Sequence, residues 1–317
     1  MDRLQFKLNQ ENNVKLMNNV LMVFLDGVGI GKKDYQFNPF FKYGFKAFEK
    51  IFGTIPSLDN QRLTSGSHFL FPTDANLGIE GLPQSGTGQA SLFCGFNAPK
   101  FVGKHFGPYP YTTTIPILQK DNILVYYRDK FKSSYFANAY PKAFFDYVNS
   151  GRTRLSVTTL TCQLAGIRLN RVSDVRTGKA LTAELTNERW NQRLGYKLKV
   201  IKPKIAARRL LRIAENNKFT LYEYYLSDHI GHLRLANEFE KLFTELDEFL
   251  FTLLDEVSSK KMTLVICSDH GNLEDVSVKT HTRNPALTIT AGKSAKEIAQ
   301  SVTEITQIKQ AIIKYCK

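Results

Sequence analysis

The chain has 317 residues, 43% hydrophobic and 23% charged, which is an ordinary globular composition for one domain with a large core, with or without an insertion. Lys and Arg total 43 against 29 acidic residues, a formal charge of +14 that suits an anionic partner: nucleic acid, an acidic surface or a phosphorylated substrate. No apolar run approaches the ~20 residues of a membrane span, and four scattered cysteines (Cys94, Cys162, Cys267, Cys316) suggest neither a disulfide frame nor a cysteine metal site.

The N-terminal stretch "MDRLQFKLNQENNVKL" lacks the apolar core of a signal peptide, so a cytoplasmic protein is expected. Val20 to Leu25 is an uninterrupted apolar run, as a strand covered on both faces requires, and it ends in Asp26 and a Gly-rich loop. A helix is expected from Phe41 to Ile51. Residues 53–76, mixed and rich in Ser, Pro and Gly, are expected to be irregular, with His68 as a surface residue. "GLPQSGTGQ" is too rich in Gly, Ser and Pro for a helix interior, but the apolar "ASLFCGF" after it can be one. Such a turn brings a hydroxyl and backbone N–H groups to a helix N-terminus, where an anion can sit. Ser85 and Thr87 are both candidate nucleophiles, and Ser91 lies too deep in the helix. Read without a ligand, the same residues are a turn and a cap.

Tyr135 to Ala137 is a strand candidate that leaves at Asn138. Residues 141–203 interrupt the pattern, alternate small and apolar residues, and carry the only tryptophan, Trp190. Arg152, Arg154, Arg176 and Lys179 could clamp an anionic group there, although scattered surface charge is the simpler reading of each. The basic run Lys202 to Arg212 is the solvated face of a helix with Ile205, Leu210, Leu211 and Ile213 turned inward. The basic residues are otherwise spread thinly, so a dedicated nucleic-acid surface is not expected.

Phe219 to Leu226 is aromatic and β-branched, a strand that ends at Ser227 and Asp228. His232 lies four residues beyond Asp228, on the same face of a helical turn. Thr263 to Cys267 is a buried strand that stops at Asp269 and His270, with Gly271 allowing a sharp turn. His281 follows on a polar loop ahead of a second apolar run, Ala286 to Ile289. The C-terminal "SAKEIAQSVTEITQIKQAIIKY" is expected as one helix with Ile298, Val302, Ile305, Ile308 and Ile312 as its buried stripe. Three strands thus each deliver an Asp at their carboxyl end, where open α/β sheets gather ligands, and His accompanies two of them. Nitrogen and carboxylate donors in this pattern are metal-ligand chemistry. His105 and His229 are left as non-ligands.

Taken together, Asp26, Ser85 before a helix, Asp228 with His232, Asp269 with His270, and His281 resemble the alkaline phosphatase superfamily. Within it the likeness is to the cofactor-independent phosphoglycerate mutases and phosphopentomutases. "LDGVGIG" resembles their first metal loop, and "SDHGN" followed by "HTRNP" their last. The resemblance covers roughly residues 19–138 and 204–317, and counting back from Gly95 places the family nucleophile on Ser85. The loop "LPQSGTGQ" departs from the "NSEVGH" of the glycolytic mutase, and this chain is far shorter.

The resemblance implies a three-layer α/β sandwich around a mostly parallel sheet. Residues 1–140 and 204–317 would form the metal-binding core, and 141–203 a small inserted cap that chooses the substrate. It implies two divalent cations, Mn²⁺ or Zn²⁺, one held by Asp228, His232 and His281, the other by Asp26, Asp269 and His270. Two such cations against three carboxylates would leave the site net positive and attractive to phosphate. Arg154, Arg176 and Arg283 are the expected substrate contacts. The expected activity is phosphoryl transfer on a small phosphorylated metabolite through a phosphoserine on Ser85, a phosphomonoester hydrolase first and a phosphomutase second. A basic protein that keeps the core but binds nucleic acid or a partner is the reading from another class. No membrane association is expected.

Overall fold

The computed structural model describes residues 18–152 and 154–317, so the stretch read for a leader segment lies outside the described residues. Seven strands form one sheet: β1 (Asn19–Leu25), β2 (Leu63–Ser65), β3 (His68–Thr73), β4 (Ser134–Phe136), β5 (Phe219–Tyr224), β6 (Met262–Ser268) and β7 (Ala286–Gly292). Their order is β2-β3-β7-β6-β1-β5-β4. The block β6-β1-β5-β4 is parallel, whereas β7, β3 and β2 pair antiparallel.

The uninterrupted apolar sequence of β1 follows from its central place. Leu21, Val23 and Leu25 point into one apolar cluster and Val20, Met22 and Phe24 into the other, so each face is covered by helices. One cover is built mainly from the helices Pro203–Glu215 and Phe239–Val257, the other from Ser85–Cys94, Ile123–Phe131 and the C-terminal helices. The result is the three-layer α/β arrangement expected from the sequence, with helices on both sides of a sheet that is parallel at its centre.

Four expectations need correction, the first being Ile205, which is 41% exposed rather than turned inward on the helix Pro203–Glu215. Residues 53–76 are not irregular: β2 and β3 form an antiparallel edge against β7, where His68 bonds the carbonyls of Ser65 and Leu254 at 3.1 and 2.9 Å. The expected helix from Phe41 to Ile51 is two short helices, Pro39–Tyr43 and Lys46–Phe52, broken at Gly44 with φ +74°. The C-terminal helix is likewise two, Ala295–Ser301 and Gln307–Tyr315; the stripe from Ile298 to Ile312 is buried as expected, but Val302 and Ile305 reach the core from the connection.

Residues 141–203 occupy three environments, and Leu181, Leu185 and Ile201 join the apolar cluster that holds the helices Pro203–Glu215 and Phe239–Val257. Val157, Cys162, Ala165 and Leu169 join the apolar cluster that also holds the helix Ser85–Cys94. Val175, Ala180, Trp190 and Leu198 form a small separate cluster with Ala139. Among the described residues no helix is long and apolar enough to cross a membrane.

Candidate metal centre

The parallel strands β1, β5 and β6 end side by side, and their carboxyl ends carry the acidic residues. After β5 the helix Leu226–Gly231 places Asp228 in its first turn and His232 at its C-terminal cap. One helical turn brings His232 Nε2 to 3.2 Å from Asp228 Oδ1. His281, from the loop ahead of β7, brings its Nε2 to 3.4 Å from the same oxygen and 3.2 Å from His232 Nε2. The other nitrogen of each ring faces a carbonyl: His232 Nδ1 to Lys279 O at 2.8 Å, His281 Nδ1 to Pro83 O at 2.6 Å. A carbonyl can only accept, so both Nδ1 atoms carry protons and, in neutral rings, both Nε2 lone pairs converge. Two lone pairs and a carboxylate aimed at one point fit a cation. Burial would raise the Asp228 pKa, but hydrogen bonds from His232 and His281 outweigh it and hold the carboxyl well below its usual range. The same hydrogen bond raises His232.

The second group is deeper. Asp26 follows β1, and Asp269 and His270 follow β6. His270 Nε2 lies 3.3 Å from Asp26 Oδ1 and 3.6 Å from Asp269 Oδ2. Asp269 and His270 are fully buried, and Asp269 Oδ2 has no hydrogen-bond partner. An unpartnered buried carboxylate oxygen is costly, and a cation would satisfy it. Burial pushes Asp269 well above the usual carboxylate range. Burial alone would lower His270, but the neighbouring carboxylates of Asp269 and Asp26 raise it to about 10. In each group the three ligand atoms lie within 4.8 Å of one another. The rings of His270 and His281 stack at 3.8 Å, so the two groups adjoin. Three N/O donors apiece suit a divalent cation that keeps an open position.

Ser85 is the first residue of the helix Ser85–Cys94 and sits at the junction. Its Oγ lies 3.0 Å from His270 Nε2 and donates to Asp26 Oδ1 at 3.4 Å. Thr87 faces away: its N–H donates to Phe106 O at 2.8 Å, and its hydroxyl donates to Gln84 O and accepts from Phe106 N–H. The first turn therefore offers fewer free donors to an anion than the sequence suggested. Ser91 bonds Thr87 O inside the helix. Gly271 does not adopt a positive φ; its role is space, since a Cβ there would lie 2.3 Å from Thr282 Oγ1.

Several residues around this centre escaped sequence reasoning. Asn272 Nδ2 donates to Asp228 Oδ1 at 2.7 Å, and Ser227 Oγ to the Asp26 carbonyl at 2.6 Å. Gln89 donates to Asp26 Oδ2 at 3.5 Å and accepts from Thr158 at 3.2 Å. Glu223, in β5, lines the cavity onto which Asp26, Ser85 and Asp228 open, and burial pushes its carboxyl up to about 8. An acidic residue inside the apolar run of β5 was the one available signal.

Of the three expected substrate arginines, Arg154 lines the cavity above Ser85. Arg176 is exposed on the helix Val172–Arg176 and does not line it. Arg283 is exposed and donates to Gly81 O at 2.8 Å, also outside that cavity. Arg189, Arg193 and Arg234 line the cavity instead. His229 lies on its wall and His105 elsewhere; neither belongs to a ligand group.

Residues 191–317 match the family described as the Metalloenzyme superfamily, a stretch that contains five of the six clustered ligands but not Asp26 or Ser85. The fold matches the alkaline phosphatase of the Antarctic bacterium TAB5 at 12% identity and TM-score 0.51, over 95% of this chain and 98% of that one. Its fold is that of the alkaline phosphatase superfamily. The PH0037 protein from Pyrococcus horikoshii matches this alkaline-phosphatase-like fold at 13% identity and TM-score 0.54, covering 95% and 97% of the two chains. The cold-active alkaline phosphatase of the psychrophile Shewanella sp. matches at 11% and 0.50, covering 93% and 99%. No curated protein is similar in sequence. The match to a metalloenzyme family model accords with the two ligand groups here.

Proposed function

We propose that this chain is a two-metal phosphoryl-transfer enzyme that acts on a small phosphorylated metabolite through a phosphoserine on Ser85, and that its net outcome is hydrolysis. The observation that carries the reading is the Ser85 hydroxyl, held 3.0 Å from His270 where two three-ligand groups adjoin. Asp228, His232 and His281 would hold one divalent cation, and Asp26, Asp269 and His270 the other, Mn²⁺ and Zn²⁺ both suiting these donors. Bound there, the cations would stabilise phosphoryl charge and make the serine hydroxyl more acidic.

The protein's own part is positional. The backbone of the helix start fixes Ser85 at the cavity floor, and its Oγ attacks phosphorus in line as the bond to the substrate alcohol breaks. Water then attacks the phosphoserine and releases inorganic phosphate. Gln89 and Asn272 orient Asp26 and Asp228. The residues from 141 to 203 roof the cavity, and Arg154 is the guanidinium suited to an anionic group of the substrate.

A mutase returns the phosphoryl group to the same substrate and must exclude water while it waits. The opening above Ser85 is a cavity of about 660 Å³ reached past exposed Tyr109 and Tyr225, which favours hydrolysis. Cytoplasmic location fits a metabolite substrate.

Ser85→Ala should keep fold and metals while turnover of a phosphate ester falls by several orders of magnitude, because the covalent route is gone. Retention of turnover would overturn the nucleophile. Isomer without inorganic phosphate would replace hydrolysis with mutase action.

A further inference from the structure

The cavity above Ser85 has walls of a particular chemistry. Tyr140, Phe144 and Tyr147 line it from one segment, Trp190 from another, and Tyr109 and Tyr225 from the loops beside the metal centre. Its volume of about 660 Å³ sits within the roughly 300–1,000 Å³ typical of drug-sized ligands. The polar side chains between these rings are largely committed to the protein. Asn138 bonds both backbone groups of Glu223, at 2.7 and 2.8 Å. Thr159 Oγ1 is shared between Ser156 at 2.9 Å and the Tyr140 hydroxyl at 2.6 Å. A sugar or glycerate would have Arg154, Arg234 and His229 to bond, while most of the wall between them is aromatic. A flat ring would find faces to stack on.

The cations complete the picture. Arg189 and Arg193 are tied to Glu238. Arg154 and Arg234 form no ion pair among the described residues, and the Arg154 guanidinium stands 5.8 Å above the Tyr109 ring. An aromatic wall with unpaired guanidinium groups at its edge, opening on a phosphoryl-transfer serine, fits an anionic molecule with a planar ring. We infer that the substrate is a phosphate monoester whose alcohol part carries a planar ring, a mononucleotide being the fitting class. The inference rests on the phosphoryl-transfer reading for the reaction, but the ring-binding wall can be tested apart from it.

The matched pair adenosine 5′-monophosphate and ribose 5-phosphate differ only in the base. With the metal-loaded enzyme, kcat/KM should favour the nucleotide by about 10–100-fold, the range that base stacking on aromatic side chains supplies. Phe144→Ala and Tyr225→Ala, at half-buried and exposed positions, should each pull that ratio towards one. Trp190 is the chain's sole tryptophan and lines the cavity, so its fluorescence reads binding without turnover. In Ser85→Ala protein, the nucleotide should change the Trp190 signal saturably, at concentrations about tenfold or more below those needed for ribose 5-phosphate. Equal response to the two compounds would overturn the inference, and so would n-octyl phosphate performing as well as the nucleotide, since the wall would then be merely apolar. A ring-dependent signal with no turnover of any ester would sink the phosphoryl-transfer reading and leave the ring site standing. Turnover with no preference for the ring would do the reverse.

Discussion

At the scale of single residues, the centre is a set of buried polar groups whose geometry makes sense around cations. The purified protein is expected to take up to two divalent ions per chain. Asp269→Ala or His232→Ala should each lose at least one by elemental analysis, since each removes one of three protein ligands. Asn272→Ala should weaken metal affinity by about 10–100-fold without removing a ligand, because Asn272 orients Asp228. Full affinity in that variant would show that the hydrogen bond does not matter. Glu223 offers a separate test on the metal-free chain. Burial pushes its carboxyl from 4.5 to about 8, so the folded chain keeps a proton that the unfolded chain releases. Stability from this group is fully present below the unfolded pKa and is lost as pH rises through about 8. Chemical denaturation of the metal-free protein should therefore lose a few kcal/mol over that window relative to Glu223→Gln. Parallel pH profiles for the two proteins would rule out the raised pKa.

At the scale of elements, the helix Ser85–Cys94 shows why local propensity did not decide its start. Gly86 and Gly88 weaken a helix by about 1 kcal/mol each relative to Ala. The fold needs them small. A Cβ on Gly86 would lie 2.2 Å from the Tyr109 carbonyl oxygen, and one on Gly88 would lie 2.9 Å from that of Asp269. Gly86→Ala should thus destabilise by about 1–3 kcal/mol despite better propensity, because backbone must move to admit the methyl group. A thermal melt at or above the wild-type midpoint would contradict this. The apolar run "ASLFCG" made the helix legible but not its start, because "SGTGQ" reads as a turn and forms the first five helical residues. The edge strands β2 and β3 were not legible: their sequence is short and broken by turn residues, and they form strands because β7 offers β3 an unpaired edge.

At the scale of the whole molecule, the segment 141–203 is held by three kinds of contact, one being the burial of Leu181, Leu185 and Ile201 beneath the helices Pro203–Glu215 and Phe239–Val257. The helix Val157–Leu164 buries Val157 and Cys162 in the main apolar cluster. The helix Glu188–Leu194 is tied outward, Arg189 and Arg193 to Glu238 and Glu188 to Lys241. A deletion confined to residues 171–199 removes the fully buried Leu181 and Leu185 from the core and should cost several kcal/mol. Removing 141–203 entirely should cost several kcal/mol more, because at least two large apolar side chains are lost from the core. Circular dichroism melts of the two deletions check this, and equal stability would mean that the helix Val157–Leu164 is dispensable to the core.

What the sequence by itself determined was the set of strands that end in acidic residues, and with them the metal-type ligands. Uninterrupted apolar runs such as Val20 to Leu25 and Thr263 to Cys267 have few structural uses besides a strand buried on both faces, and each breaks into polar residues where such a strand must stop. The Asp228–His232 spacing is also local, because one helical turn is fixed by backbone geometry. Tertiary structure decided the rest. The parallel register of β6, β1 and β5 is what brings Asp26, Asp228 and Asp269 together, and no sequence spacing encodes it. Long-range folding also turned Ser85 rather than Thr87 towards His270, recruited Gln89, Asn272 and Glu223, and left Arg154 at the cavity while placing Arg176 and Arg283 outside it. Exposed arginines carry no periodic signal, so where such a charge lies is known only once distant segments have packed.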